Sequence, residues 1–276
     1  MAAPDDAVAA LRAVVGVEPV GEGAARGTTG NGGVARGGLF GGQVIAQCLS
    51  ACAHTVPAGA VPDSLHVNLL RTGRSGDPID FTVERVRDGR SLQHRDVRGY
   101  QDGQLIVQAA VVSSVQTAGL DWQRDEVPDV PGPDVRPDAP PSLHRHLGWG
   151  VFEVAHPLTE QDGEPPSHPL WVRSPIELPD DPWLDGAVKA FWTDFGMNWN
   201  ARATHNGLDP AQVASLSATH SVWFHRRRPT HEWHLLDVHT RSLLGNQGFV
   251  QASLFDGAGG LAVSIAQGVF VRWPSP

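Results

Sequence analysis

Apolar and polar positions along the chain switch between helical and strand periodicity, in an order that occurs twice. Residues 5–15 predict a short helix. A glycine-rich run, 21–33, follows without phosphate-loop spacing and reads as a flexible connection. Residues 44–54 are apolar on nearly all sides, as a buried helix is, and Pro57 closes them. Glycines just ahead of this helix, up to Gly41 and Gly42, allow another backbone or a ligand to come close. Period-two alternation then predicts strands at 64–71, 79–87, 91–100 and 105–115, with Asp88-Gly89 and Asp102-Gly103 as hairpin turns. Residues 117–182 are dense in Pro and Asp, a linker or surface excursion with strand candidates at 149–155 and 170–174. A second helix is predicted at 184–204. Four more strands follow at 216–226, 232–241, 247–255 and 261–272, and Asp256-Gly257 turns the last hairpin.

The repeated order, a helix and then four strands, has a testable register. One constant spacing pairs Gly42 with Gly196, His66 with His220, and Asp102-Gly103 with Asp256-Gly257. This predicts a duplication: two copies of one α+β unit, each a long helix wrapped by a curved antiparallel sheet, which is a double hotdog. The expected division is a flexible segment at 1–33, a first unit at 34–116, a linker at 117–148 and a second unit at 149–276. The same spacing sets Phe40 against Asp194, Asp63 against Ser217 and Ser113 against Gln267. The polar set of the second half has no equal in the first, so one competent site is expected. His66 and His220, as equivalents, are expected to be structural.

Composition narrows the function. The 276 residues carry a net charge of −9 with histidines neutral, and no Lys/Arg stripe with interleaved aromatics, which excludes a general nucleic-acid binder. Arg226-Arg227-Arg228 is the compact basic run and a candidate phosphate contact. No apolar run reaches the roughly 18 residues of a membrane span, and Met1-Ala-Ala-Pro-Asp-Asp6 lacks the features of a signal peptide, so a cytoplasmic location is expected. Cys48 and Cys52, one helical turn apart, suit core packing in a reducing compartment better than a disulfide. His231-Glu-Trp-His234 lacks zincin spacing, and Gly-x-Ser-x-Gly is absent; no metal and no cofactor are expected.

The chemistry centres on Phe191-Trp-Thr-Asp-Phe-Gly-Met-Asn-Trp199, which sets one acid, Asp194, among aromatic residues near a helix start. A carboxylate there is costly to bury unless it has partners or a task, although Asp is also common as a helix cap. Phe40-Gly-Gly-Gln-Val44, Leu70-Arg71, Arg87-Asp-Gly-Arg-Ser91, Leu170-Trp-Val-Arg173, Leu178-Pro-Asp-Asp-Pro182, Thr193-Asp194, His220-Ser-Val-Trp-Phe-His-Arg226 and Gln267 ahead of Arg272 stand in this order. Together they resemble the acyl-CoA thioesterase II family, the double-hotdog thioesterases. The resemblance implies a catalytic set of an Asp on the second helix, a Ser/Thr on the next strand and a Gln on the last, which fall on Asp194, Ser217 and Gln267. Thr219 stands where the family usually has Asp, Gly268-Val269 where it has Glu-Gly, and Phe195 follows Asp194.

A thioester needs a positioned water, a proton acceptor and oxyanion donors. Asp194 is the expected base, Ser217 and Gln267 hold the water, and amides near Phe195-Gly196 are candidate oxyanion donors. Trp192, Phe195 and Trp199 are expected to line an acyl tunnel. The implied function is hydrolysis of a fatty acyl-CoA or related thioester, with acyl-CoA as partner, no membrane or nucleic-acid partner, and assembly into a homo-oligomer. One alternative is a non-catalytic acyl-thioester binder on the same fold. The other is a hotdog hydratase or dehydratase, disfavoured because His205 lies about three helical turns from Asp194.

Overall fold

The computed structural model describes residues 4–30, 38–133, 151–155, 169–203 and 212–273. Parts of the glycine-rich run and of the linker, together with Trp149, Thr204 and His205, lie outside the described residues.

The first half contains α1 (Pro4–Val15), β1 (Glu18–Gly21), β2 (Ala24–Gly27), α2 (Gly41–Ala53), β3 (Ala60–Leu69), β4 (Ile79–Asp88), β5 (Leu92–Gln101) and β6 (Gln104–Val115). The second contains β7 (Glu153–Ala155), β8 (Leu170–Arg173), α3 (Pro182–Trp192), α4 (Met197–Ala203), β9 (Ala214–Phe224), β10 (His234–Leu244), β11 (Gln247–Phe255) and β12 (Leu261–Arg272). All described strands form one 12-stranded sheet in the order β1-β2-β4-β5-β6-β3-β9-β12-β11-β10-β8-β7. The halves join where β3 and β9 pair antiparallel, with Leu65 opposite Val222 and Val67 opposite His220. Helix α2 packs on strands of the first half and α4 on those of the second, while α3 lies along α2. This is the double hotdog that the repeated order predicts.

Local chemistry explains the elements. Helix α2 is buried on most sides, and its Cys48 and Cys52 are free thiols in the core that burial pushes up in pKa. Gln43 and Gln47 donate to the carbonyls of Val14 and Thr28, which ties the N-terminal segment to α2. Asp181 caps α3 by accepting from the Trp183 and Leu184 amides, and Pro182 opens the helix where no amide is needed. Asp102 and Gly103 both take positive φ and make the tight hairpin between β5 and β6.

Three expectations are corrected. The glycine-rich run is not all connection: Ala24–Gly27 pairs with β4, and β1 folds back on it. The predicted helix over 184–204 is two helices. Gly196, at φ 73°, takes a backbone conformation that ends α3's course and lets α4 start at Met197. The register of the repeat is also different. The Leu70 and Arg71 amides both donate to the Ile106 carbonyl, and the Arg71 guanidinium to that of Leu105. His225 and Arg226 repeat this pattern on Ala262 and Leu261. Arg226 therefore answers Arg71, and His220 answers Leu65 rather than His66. On the last strand, Leu65 pairs with Val111 and His220 with Gln267, so Gln267 answers Val111 rather than Ser113. The turn before β12 is the longer one: Gln101 pairs with Gln104, but Phe255 pairs with Leu261.

Candidate active site

A β-bulge aims the first site residue. Along β9, His220 and Val222 point into the core, so simple alternation would turn Ser217 away from it. The register between β9 and β12 shifts here: Thr219 lies opposite Gly268, but Ser217 lies opposite Val269. The extra residue, Ala218, reverses the alternation and brings Ser217 to the inner face, the usual service of a bulge beside a site. Gln267 sits on the neighbouring strand, directly opposite His220. Asp194 enters from the joint between α3 and α4.

These three residues meet. Ser217 Oγ donates to Asp194 Oδ1 at 3.4 Å, and Gln267 Nε2 donates to Ser217 Oγ at 3.1 Å. The Gln267 side chain also favours the charged form of the Asp194 carboxyl. Gly42 N–H donates to Asp194 Oδ2 at 3.0 Å. That amide opens α2, so the carboxylate of the second half rests on the N-terminus of the first half's helix, where negative charge is favoured. The glycines there are used as predicted, for close approach: a Cβ on Gly41 would stand 2.7 Å from Asp194 Oδ2.

Asp194 is 6 % exposed. Burial raises its pKa to about 7, against the hydrogen bonds from Gly42, Ser217 and Gln267, which lower it. Near neutral pH it therefore exists both as an acceptor of protons and as their holder.

Three further residues complete the arrangement. Asn198, four positions after Asp194, donates from Nδ2 to Ser217 Oγ at 2.9 Å, while its buried Oδ1 has no partner among the described residues. His220 is fully buried, with Nδ1 2.6 Å from Gln267 Oε1 and Nε2 2.8 Å from Thr193 Oγ1. Spacing on a helix could have flagged Asn198. His220 and Gly42 needed strand register and a contact between halves. His66 differs from His220: it hydrogen-bonds Ser221 and lies edge-on to Trp223.

The remaining predicted residues divide. Phe195 and Trp192 lie in one aromatic group with buried Phe40 and Phe191 and half-buried Phe152, centroids 4.6 to 6.2 Å apart. Trp199 is not in it; that ring is 39 % exposed, with the Arg202 guanidinium 5.4 Å above it. The Phe195 amide is spent on the Trp192 carbonyl, which leaves Gly196 of the two expected oxyanion donors. Arg226, Arg227 and Arg228 are each paired, with Asp121, Asp180 and Asp256. Thr219 and Gly268, two departures from the family pattern, lie opposite each other, and the Gly268 amide donates to the Thr219 hydroxyl. Thr219 is exposed, on the other side of the strand from the trio.

The sequence matches two family models, the acyl-CoA thioesterase N-terminal domain over residues 31–114 and the acyl-CoA thioesterase C-terminal domain over residues 124–271. It is 26 % identical to acyl-CoA thioesterase 2 of Haemophilus influenzae, over 85 % of this chain and 88 % of that protein. It is 29 % identical to mouse acyl-coenzyme A thioesterase 8, over 85 % of this chain and 80 % of that one. Among solved structures, the acyl-CoA thioesterase II TesB2 of Mycobacterium marinum is similar with a TM-score of 0.79 and 27 % identity, covering 96 % of this chain and 99 % of that one.

Proposed function

The chain belongs to the acyl-CoA thioesterase family, and from that membership we propose that it hydrolyses a fatty acyl-CoA or related acyl thioester to the free acid and CoA, with Asp194 as the base. The observation that carries the assignment of Asp194 is the convergence of donors from Gly42 and Ser217, the serine itself held by Gln267, on one buried carboxylate.

The chemistry follows from that arrangement. Asp194, ionised, takes a proton from a water held beside Ser217 and Gln267. The water oxygen forms a bond to the thioester carbonyl carbon, and the carbonyl oxygen gains the negative charge. That charge returns to re-form the carbonyl, the C–S bond breaks, and the CoA thiolate leaves and is protonated. Burial supports a base of useful strength, because an ordinary aspartate near pH 4 accepts protons weakly. The aromatic group of Trp192 and Phe195 supports an apolar wall for the acyl chain next to the base, with Gly196 N–H as an oxyanion donor.

Assembly into a homo-oligomer is part of the proposal. The sheet ends in β1 and β7, of 4 and 3 residues, which are poor templates for edge pairing. Leu216, Trp223, Phe249 and Phe270 stay 39 to 43 % exposed on β9, β11 and β12, which supports association through that face. No helix among the described residues is long and apolar enough to cross a membrane. A cytoplasmic location is proposed on the two free, buried thiols.

Free-thiol release from short- to long-chain acyl-CoAs tests the function. Turnover by the wild type, reduced about a hundredfold or more in Asp194→Asn, is expected. Acyl-CoA binding with no turnover would make the chain a binder instead, and equal activity of the two proteins would remove Asp194 from the reaction.

A further inference from the structure

Gln267 differs from its neighbours in that its direction matters as much as its place. One end of its amide donates and the other accepts. An ionised carboxylate only accepts, and Gln267 favours that form of Asp194, so the amide turns its NH₂ to the Ser217 and Asp194 side. Nε2 accordingly meets Ser217 Oγ at 3.1 Å, and Oε1 is turned to His220 Nδ1 at 2.6 Å. Two acceptors cannot share that contact, so Nδ1 carries the proton. His220 has no exposed surface, and burial holds its pKa down near 4, so the ring keeps one proton. Nε2 is then bare, 2.8 Å from the Thr193 hydroxyl, whose one proton it shares with the Ala190 carbonyl at 2.7 Å.

We propose that His220, in its Nδ1–H tautomer, is a positioning residue that fixes the Gln267 amide so that its donors face Ser217 and Asp194. The consequence passes to Ser217. Its Oγ already receives N–H groups from Gln267 and from Asn198, at 3.1 and 2.9 Å, which fills both lone pairs. The hydroxyl proton is left for Asp194 Oδ1. The order of donation runs from His220 through Gln267 and Ser217 to the base. Asp194 thus receives hydrogen bonds that strengthen when it is ionised, and the water it activates meets an acceptor rather than a competing donor. In the first half, the positions that answer His220 and Gln267 are Leu65 and Val111, so the whole device is absent there.

The proposal rests on the reading of Asp194 as the base, and its tests separate the two. The first is the ring ¹⁵N spectrum of the wild-type protein at pH 7, with the His220 signals assigned by their loss in His220→Asn. A protonated Nδ1 with a bare Nε2 is expected; an Nε2–H ring or an imidazolium overturns the proposal. The second compares His220→Leu with His220→Asn, whose amide N–H stands where Nδ1–H stood. His220→Leu is expected to lose about a hundredfold in kcat with KM little changed, as for a misplaced reacting group, and His220→Asn to recover most of it. Equal kcat in the two variants overturns the proposal. Full activity in Asp194→Asn overturns the reading of the base itself, whereas an Nε2–H ring beside an inactive Asp194→Asn overturns this inference alone.

Discussion

The Gly42 amide donates to Asp194 Oδ2 at 3.0 Å, so the carboxylate of one half is held by the helix end of the other. Gly41, one residue earlier, is placed so that a Cβ would come 2.7 Å from the same oxygen. Gly41→Ala is therefore expected to push the carboxylate aside. Alanine favours the helix itself, so α2 should persist. A fall in kcat of about ten- to a hundredfold is predicted, with overpacking costing about 1–3 kcal/mol of stability. Steady-state kinetics alongside thermal melting check this; an unchanged kcat would show that the contact does not place Asp194.

The pKa of Asp194 sets the pH dependence of the rate. Burial raises it to about 7, and only the ionised form accepts a proton. kcat should climb with pH up to about 7 and flatten above it. A profile already flat from pH 5 to pH 8 would mean that another group supplies the base.

The same carboxyl affects stability with a definite sign. Between its unfolded value near 4 and its folded value near 7, the folded protein holds a proton that the unfolded chain has released. Stability thus falls as pH rises through that window, by a total on the order of 4 kcal/mol. Asp194→Asn removes the ionisation. The variant is expected to melt several degrees above the wild type at pH 8 and to lose that advantage near pH 4.5. An equal difference at both pH values would contradict a raised pKa.

Asn198 offers a separate handle on Ser217. Asn198→Leu removes the second donor to Ser217 Oγ and also the buried, unpartnered Oδ1. Stability should be unchanged or raised, since an unsatisfied buried polar atom costs about 1–3 kcal/mol. kcat should fall by less than in Ser217→Ala. Kinetics on the two single variants and on the double variant would show it, with the double resembling Ser217→Ala if Asn198 acts through the serine.

Much of this was legible in the residues. Period-two alternation and the Asp102-Gly103 turn placed the strands of the first half within a few positions, because a half-buried sheet enforces that pattern. Asp194, Ser217 and Gln267 followed from motifs whose order survives. Three features were not legible. The break at Gly196 hides in an apolar run that reads as continuous helix. The bulge at Ala218 and the drift in spacing between the halves are matters of strand register, so one constant spacing mispaired His66 with His220. The contact of Gly42 with Asp194 joins residues far apart in sequence, and nothing local announces it.

The most direct test of Asp194 as a base, rather than a nucleophile, is a single turnover in H₂¹⁸O with enzyme in excess over acyl-CoA. Direct attack by water predicts one ¹⁸O in the product acid and none in the peptide that contains Asp194. Label found in Asp194 itself, with an unlabelled acid from that first turnover, would mean that the carboxylate attacks the thioester and that water attacks the carboxylate afterwards.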